Sequence, residues 1–109
     1  MYKDITTYSR NDVKREIRVL ENEANGIKFR VHKHIDYGNE WLLSCYELNL
    51  SNVPLKTEDM NEAKKKALVT MAEFFNKIVQ KYKKAIEELK VKILEMNDDA
   101  QNGEKENFA

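Results

Sequence analysis

The sequence predicts an α+β fold in which a three-stranded antiparallel β-meander packs on one long C-terminal α-helix, followed by a disordered tail. Three observations predict it. Between Thr57 and Met96, the residues Leu68, Ala72, Phe75, Val79, Tyr82, Ile86, Leu89, Ile93 and Met96 recur at alternating four- and three-residue steps, which keeps them on one side of a helix. No Gly or Pro interrupts the run, so it reads as a single helix roughly 58 Å long at about 1.5 Å per residue. Upstream, from Val13 to Ile35, the apolar period is two, the period of strands, and a third strand follows from Trp41 to Leu50. The expected divisions are an arm over 1–12, the sheet over 13–56, the helix over 57–97 and the tail over 98–109.

Composition narrows the function classes. The 109 residues carry 19 Lys plus Arg against 19 Asp plus Glu, so the long-range field that draws whole proteins to nucleic acid or anionic membrane is absent. Charged residues make up 35% and hydrophobic ones 41%, which allows a modest core in one domain. The single Cys45 cannot form an internal disulfide, and there is neither a signal-like start nor a long apolar run. The expectation is a soluble protein of a reducing cytoplasm with no membrane association. Three Gly and one Pro leave little material for phosphate-cradling loops or strained nucleophile turns, so no enzyme and no cofactor are expected.

Met1–Asp12 fits neither period. Its aromatics Tyr2 and Tyr8 either lie against the sheet or contact a partner. From Val13, the residues Val13, Ile17 and Val19 fall on one side of a first strand, with Lys14, Glu16 and Arg18 on the other. Ala24, Asn25 and Gly26 form the turn. As a three-residue loop with Gly26 at positive φ, it sets Val19 opposite Val31 on the core face and Arg18 opposite His32.

The second strand, Ile27 to Ile35, alternates Ile27, Phe29, Val31 and Ile35 against Lys28, Arg30, His32 and His34. The third, Trp41 to Leu50, is apolar on both sides: Trp41, Leu43 and Cys45 on one, Leu42, Tyr46, Leu48 and Leu50 on the other. Either the arm covers its outer face, or that face is an exposed apolar patch of the kind that marks a binding site. Pro54 then ends the sheet, because it cannot donate to a ladder. Thr57 or Asp59 caps the helix, with Asp59 and Glu62 at capping-box spacing.

Ala63, Ala67, Met71, Phe74, Ile78 and Ala85 widen the apolar face of the first part of the helix, which is expected to pack on the sheet. Strands of eight or nine residues span only about 30 Å, so the last turns are expected to overhang it. There Ala72, Val79, Ile86 and Ile93 take one heptad seam position, and Leu68, Phe75, Tyr82, Leu89 and Met96 the other. Lys83, Lys90 and Lys92 flank the seam, so a parallel homodimer would bring lysines together; an acidic partner helix or antiparallel docking of two subunits fits better. A break near Asn76 or Glu87 would instead fold the chain back as a hairpin.

The candidate chemistry is sparse. Arg18, Lys28, Arg30, His32 and His34 form an expected basic plate, with Trp41 or Tyr46 as a stacking neighbour, suited to phosphate or an acidic protein surface. The plainer reading is an ordinary solvated sheet face. His32, His34 and, in one register, Cys45 give three soft metal ligands without a fourth, so no metal site is assigned. Ser44 and Cys45 adjoin on a strand, where nothing activates a nucleophile.

Three strands followed by a helix opening with Glu62, Ala63, Lys64, Lys65 and Ala67 resemble the DNA-binding domain of phage integrases and the double-stranded RNA-binding domain. The latter needs a leading helix that this chain lacks. A wider resemblance runs through Thr6, Thr7, Tyr8, Ser9 and Arg10, then Val31 to Ile35, Trp41 to Cys45 and Glu62 to Ala67. These residues look like those of small proteins encoded by phages and prophages of Gram-positive bacteria. That resemblance implies no catalytic residues; it implies a setting in which small proteins block host enzymes, defence nucleases among them.

The expected function is therefore a non-enzymatic interaction protein that binds and occludes a host or phage protein. Partner contacts are expected at Arg18, Lys28, Arg30, His32, His34 and Trp41. Oligomerisation is expected through Phe75, Val79, Tyr82, Ile86, Leu89, Ile93 and Met96. The alternatives are a nucleic-acid-binding accessory factor and a homodimeric structural protein.

Overall fold

The computed structural model describes residues 1–11 and 16–100. The expected strand start at Val13 and Lys14, and the tail from residue 101, lie outside the described residues. The chain forms two compact units whose boundary falls inside the helix, Met1–Met71 and Ala72–Ala109.

The fold is α+β with one long helix and an antiparallel sheet, but the sheet has five strands rather than three. In chain order these are β1 (Lys3–Asp4), β2 (Val19–Ala24), β3 (Ile27–His32), β4 (Leu42–Cys45) and β5 (Leu50–Pro54), followed by helix α1 (Met60–Ala100). They lie side by side in sequence order, each antiparallel to the next.

Both additional strands come from stretches without a clean period. The arm contributes β1, pairing Lys3 with Glu21 and Asp4 with Leu20. Beyond it, Ile5 N–H donates to the Val19 carbonyl at 3.0 Å, and Thr6 Oγ1 accepts from the Arg18 and Val19 amides at 2.9 and 3.0 Å. The expected third strand breaks at Tyr46–Asn49, where Asn49 N–H donates to the Tyr46 carbonyl at 3.0 Å and Asn49 takes a left-handed φ of 56°. Asn tolerates that conformation better than most residues, and the turn returns the chain as β5. Pro54 is the last residue of β5, a position on an edge strand where its missing N–H costs no ladder bond.

The β2–β3 turn differs from the expected one by a single residue. Asn25 (φ 48°) and Gly26 (φ 82°) form a two-residue loop, so Ala24 pairs with Ile27 and Leu20 with Val31. Two consecutive positive-φ residues match the twist of a tight hairpin. Leu20, not Val19, therefore enters the core, and Val19 stands opposite His32.

The core of the first unit joins Leu20, Phe29 and Val31 of β2 and β3 with Trp41, Leu42, Leu43, Cys45 and Leu55, and with Ala63, Ala67 and Met71 of α1. The helix contributes Ala63, Ala67 and Met71 at four-residue spacing, which keeps all three on one face. Tyr2 joins this layer from the arm, its ring edge-on to Phe29 at 6.3 Å and its hydroxyl donating to the Lys64 carbonyl at 2.7 Å. Burial pushes the Tyr2 phenol up to about 12, because the phenolate would be poorly solvated there.

Helix α1 begins at Met60. Asp59 caps it, its Oδ2 accepting from the Glu62 amide at 2.8 Å. The reciprocal half of the expected capping box is replaced by a relay: Asp59 N–H donates to Thr57 Oγ1, whose hydroxyl donates to Glu62 Oε2 at 3.1 Å. The helix runs unbroken for 41 residues, past the expected end at Asn97, with no break at Asn76 or Glu87. No helix among the described residues is long and apolar enough to cross a membrane.

In the second unit, Phe74, Phe75 and Ile78 are half-buried, and every residue from Val79 to Asp98 is exposed.

Candidate functional site

Two surfaces of these units invite a ligand. The first is the outer face of the sheet. The alternation of β3 turns Lys28, Arg30 and His32 away from the core, as the sequence predicts. The observed register then sets Val19, Glu21 and Glu23 of β2 opposite them, pairing Glu21 with Arg30 and Glu23 with Lys28. Arg30 Nε lies 3.2 Å from Glu21 Oε2. The expected register would have set Arg18, Leu20 and Asn22 there, leaving an unbalanced basic plate. A one-residue shift replaces that plate with a cross-strand charge ladder.

On the β4 side, Ser44 pairs with Arg30 and Leu42 with His32. Leu42 is wholly buried although it shares a face with His32, so the outer face is covered at this end; at the other end Tyr46 is 98% exposed. Between them opens a groove of about 700 Å³, lined by Glu21, Lys28, Arg30, Ser44, Tyr46 and Glu47, with Gly26, Asn49, Leu50 and Ser51. It offers two cations, two carboxylates, two serine hydroxyls and one aromatic face, a mixture suited to a protein or peptide surface.

His32 sits at the covered end. Its Nε2 is 2.7 Å from Ser44 Oγ, which also accepts from the Asn52 amide at 3.0 Å and so anchors the irregular pairing of β4 with β5. Burial holds the His32 pKa below its ordinary 6.5; a hydrogen bond with the Lys33 backbone opposes this, and the charges of His34 and Arg30 add to it. The imidazole is therefore neutral at pH 7 and adds no positive charge to the face.

Several expected site residues fall elsewhere. His34 lies beyond the end of β3 and starts a 3₁₀ turn over Ile35–Tyr37, where its Nδ1 accepts from the Asp36 amide at 3.1 Å. Arg18 precedes β2 and donates from Nη2 to the Thr7 carbonyl at 3.0 Å. Trp41 is buried, so it is not a stacking platform; its Nε1–H donates to the Glu58 carbonyl at 3.0 Å, and Lys33 Nζ sits 4.9 Å above its ring. Cys45 is buried and its thiol donates to the Lys28 carbonyl at 3.3 Å, so the chain does not gather His32, His34 and Cys45. Among the described residues no group of three or more His, Cys, Asp or Glu side chains is placed to hold a metal ion. Of the expected contact set, Lys28 and Arg30 alone line the groove, with His32 joined to it through Ser44.

Sequence reasoning missed Glu21, Glu23 and Glu47, and of the two expected stacking neighbours it is Tyr46, not Trp41, that stands in solvent. The first two glutamates were legible: an Asn-Gly pair between two strands is the strongest short signal for a two-residue hairpin loop, and that loop length fixes Glu21 opposite Arg30.

The second surface belongs to the helix of the second unit. Tyr82 is 62% exposed, Leu89 57%, Ile86 51%, Val79 46%, Met96 46% and Ile93 38%. These are the expected oligomerisation residues other than the half-buried Phe75, and they line one side of the helix over about five turns. Val91 and Leu94 are exposed beside them.

No protein-family model matches the chain, and comparison with curated proteins and with solved structures finds no match.

Proposed function

We propose that this chain is a non-enzymatic interaction protein that binds and occludes the surface of another protein. One observation carries the reading: the stripe from Val79 to Met96, six large apolar side chains on a helix surface exposed throughout. A helix needing only to be a solvated spacer carries charge at such positions, and exposed apolar stripes on soluble helices are surfaces awaiting a protein. The sheet groove, with Tyr46 on its rim and paired charges on its floor, is the second contact surface. The phage setting, a host defence nuclease as target and a cytoplasmic location rest on the resemblance and composition described above.

The nucleic-acid reading is the weaker one. Glu21 and Glu23 stand opposite the two cations that would grip phosphate, and carboxylates in that position repel a backbone.

Photo-crosslinking tests the proposal. A photoreactive phenylalanine replaces Tyr46 in one variant and Tyr82 in another, and adducts are collected from cells. Protein adducts at both positions are expected. Nucleic-acid adducts at position 46, or an absence of protein adducts at both positions, would refute it.

A further inference from the structure

We infer that the occupant of the helix stripe is the same stripe of a second copy, running antiparallel about a two-fold axis at Lys84. The inference rests on the reading of the stripe as a protein-binding surface and assigns that surface to self-association, which leaves the sheet groove as the contact for the occluded protein. Three features carry it.

The first is charge. Residues 70–83 hold Lys77, Lys81 and Lys83 against Glu73, net +2; residues 85–98 hold Glu87, Glu88, Glu95 and Asp98 against Lys90 and Lys92, net −2. Antiparallel pairing about Lys84 sets each half against its opposite. Parallel pairing sets like against like, bringing the acid-free run of Lys77, Lys81, Lys83 and Lys84 beside its own copy.

The second is layering. The same axis places Phe75 opposite Ile93, Val79 opposite Leu89 and Tyr82 opposite Ile86, each layer occurring twice and each joining one seam position to the other, as antiparallel knobs-into-holes packing requires.

The third is area. Covering side chains that are 38–62% exposed buries roughly 500 Å² per copy and about 1,000 Å² per pair, which reaches the lower bound of specific interfaces and predicts a dimer that dissociates on dilution.

A charge-swap cycle tests this. Molar mass is measured by light scattering across protein concentration, with far-UV circular dichroism and Trp41 fluorescence verifying that each variant is folded. The wild type is expected to rise from monomer to dimer mass. Val79→Lys and Leu89→Glu should each hold the chain at monomer mass, because each introduces a charge into both copies of one layer. The double variant should recover the dimer, because the new lysine and glutamate face each other across that layer only in the antiparallel register; in a parallel pair each meets its own kind. A wild type that stays monomeric overturns the self-pairing, and protein adducts at position 82 would then leave the interaction reading standing with a different occupant. A dimer that the single variants do not weaken, or that the double variant does not recover, overturns the register.

Discussion

Removing three carboxylates should convert the sheet face into a weak nucleic-acid-binding surface. Lys28 and Arg30 contribute +2; Glu21 and Glu23 contribute −2, and Glu47 on the groove rim −1, so with His32 neutral the face is net −1. The triple variant Glu21→Gln, Glu23→Gln, Glu47→Gln leaves the two cations unopposed. Two phosphate contacts give a slope of about −1.8 in log affinity against log salt, or roughly a 12-fold loss between 50 and 200 mM. The stability cost is small, because the Glu21–Arg30 pair has side chains 22% and 58% exposed and such pairs contribute about 0.2–1 kcal/mol. The assay is fluorescence anisotropy with a short labelled duplex at both salt concentrations. The wild type should show little binding, and the triple variant measurable binding that Lys28→Glu then removes. Two results would refute the reasoning: a wild type that already binds with a slope near −2 and loses binding on Lys28→Glu, or a triple variant no better than wild type.

Three further expectations concern stability. Gly26→Ala should destabilise by about 1–2 kcal/mol in urea titration, all of it from the φ of +82°, since nothing lies within 4 Å of an added Cβ; a cost above about 3 kcal/mol would mean the register itself had slipped. His32 has its folded pKa lowered below 6.5, so the unfolded state binds the proton more readily; its stabilising contribution is complete above about 6.5 and is lost as pH falls from there through the folded pKa. His32→Gln should flatten that limb of the stability-versus-pH curve, and an unchanged slope would reassign the titration. Tyr2, raised to about 12 from 10.0, is held neutral by the fold, so stability should fall as pH rises between those values; Tyr2→Phe should reduce the fall to the part left by Tyr8, whose phenol is also raised by its hydrogen bond to Asp4, and an unchanged alkaline slope would count against Tyr2 as the main source.

The elements with a strong local signal were legible in the sequence. Helix α1 follows from an unbroken 3.6-residue period without Gly or Pro, and β3 from strict alternation between Ile27 and His32. Asp59 was legible as a cap from its spacing to Glu62. What escaped were elements whose residues carry no period of their own. Lys3 and Asp4 are a strand because β2 offers an open edge, and the stretch from Trp41 to Leu50 is strand, turn and strand because Asn49 adopts a left-handed φ. Leu42 and Leu43 are both buried, one on each face, and no alternation rule separates that from a strand with an exposed patch.

The candidate site shows the same division. Alternation along β3 alone established that Lys28, Arg30 and His32 share a face, because side-chain direction is a property of one strand. Heptad spacing alone established the helix stripe, because 3.6 residues per turn fixes which side chains align. What stands opposite those side chains was decided by tertiary structure. Register is set between strands, and a two-residue loop at Asn25–Gly26 placed Glu21 and Glu23 against the cations where a three-residue loop would have placed Leu20 and Asn22. Burial is likewise a property of neighbours: Trp41 is of a kind with residues that stack on ligands, yet packing from several elements encloses it while Tyr46, five residues on, stands in solvent. Sequence determines which way a side chain points along its own element; only the packed chain determines what it meets there.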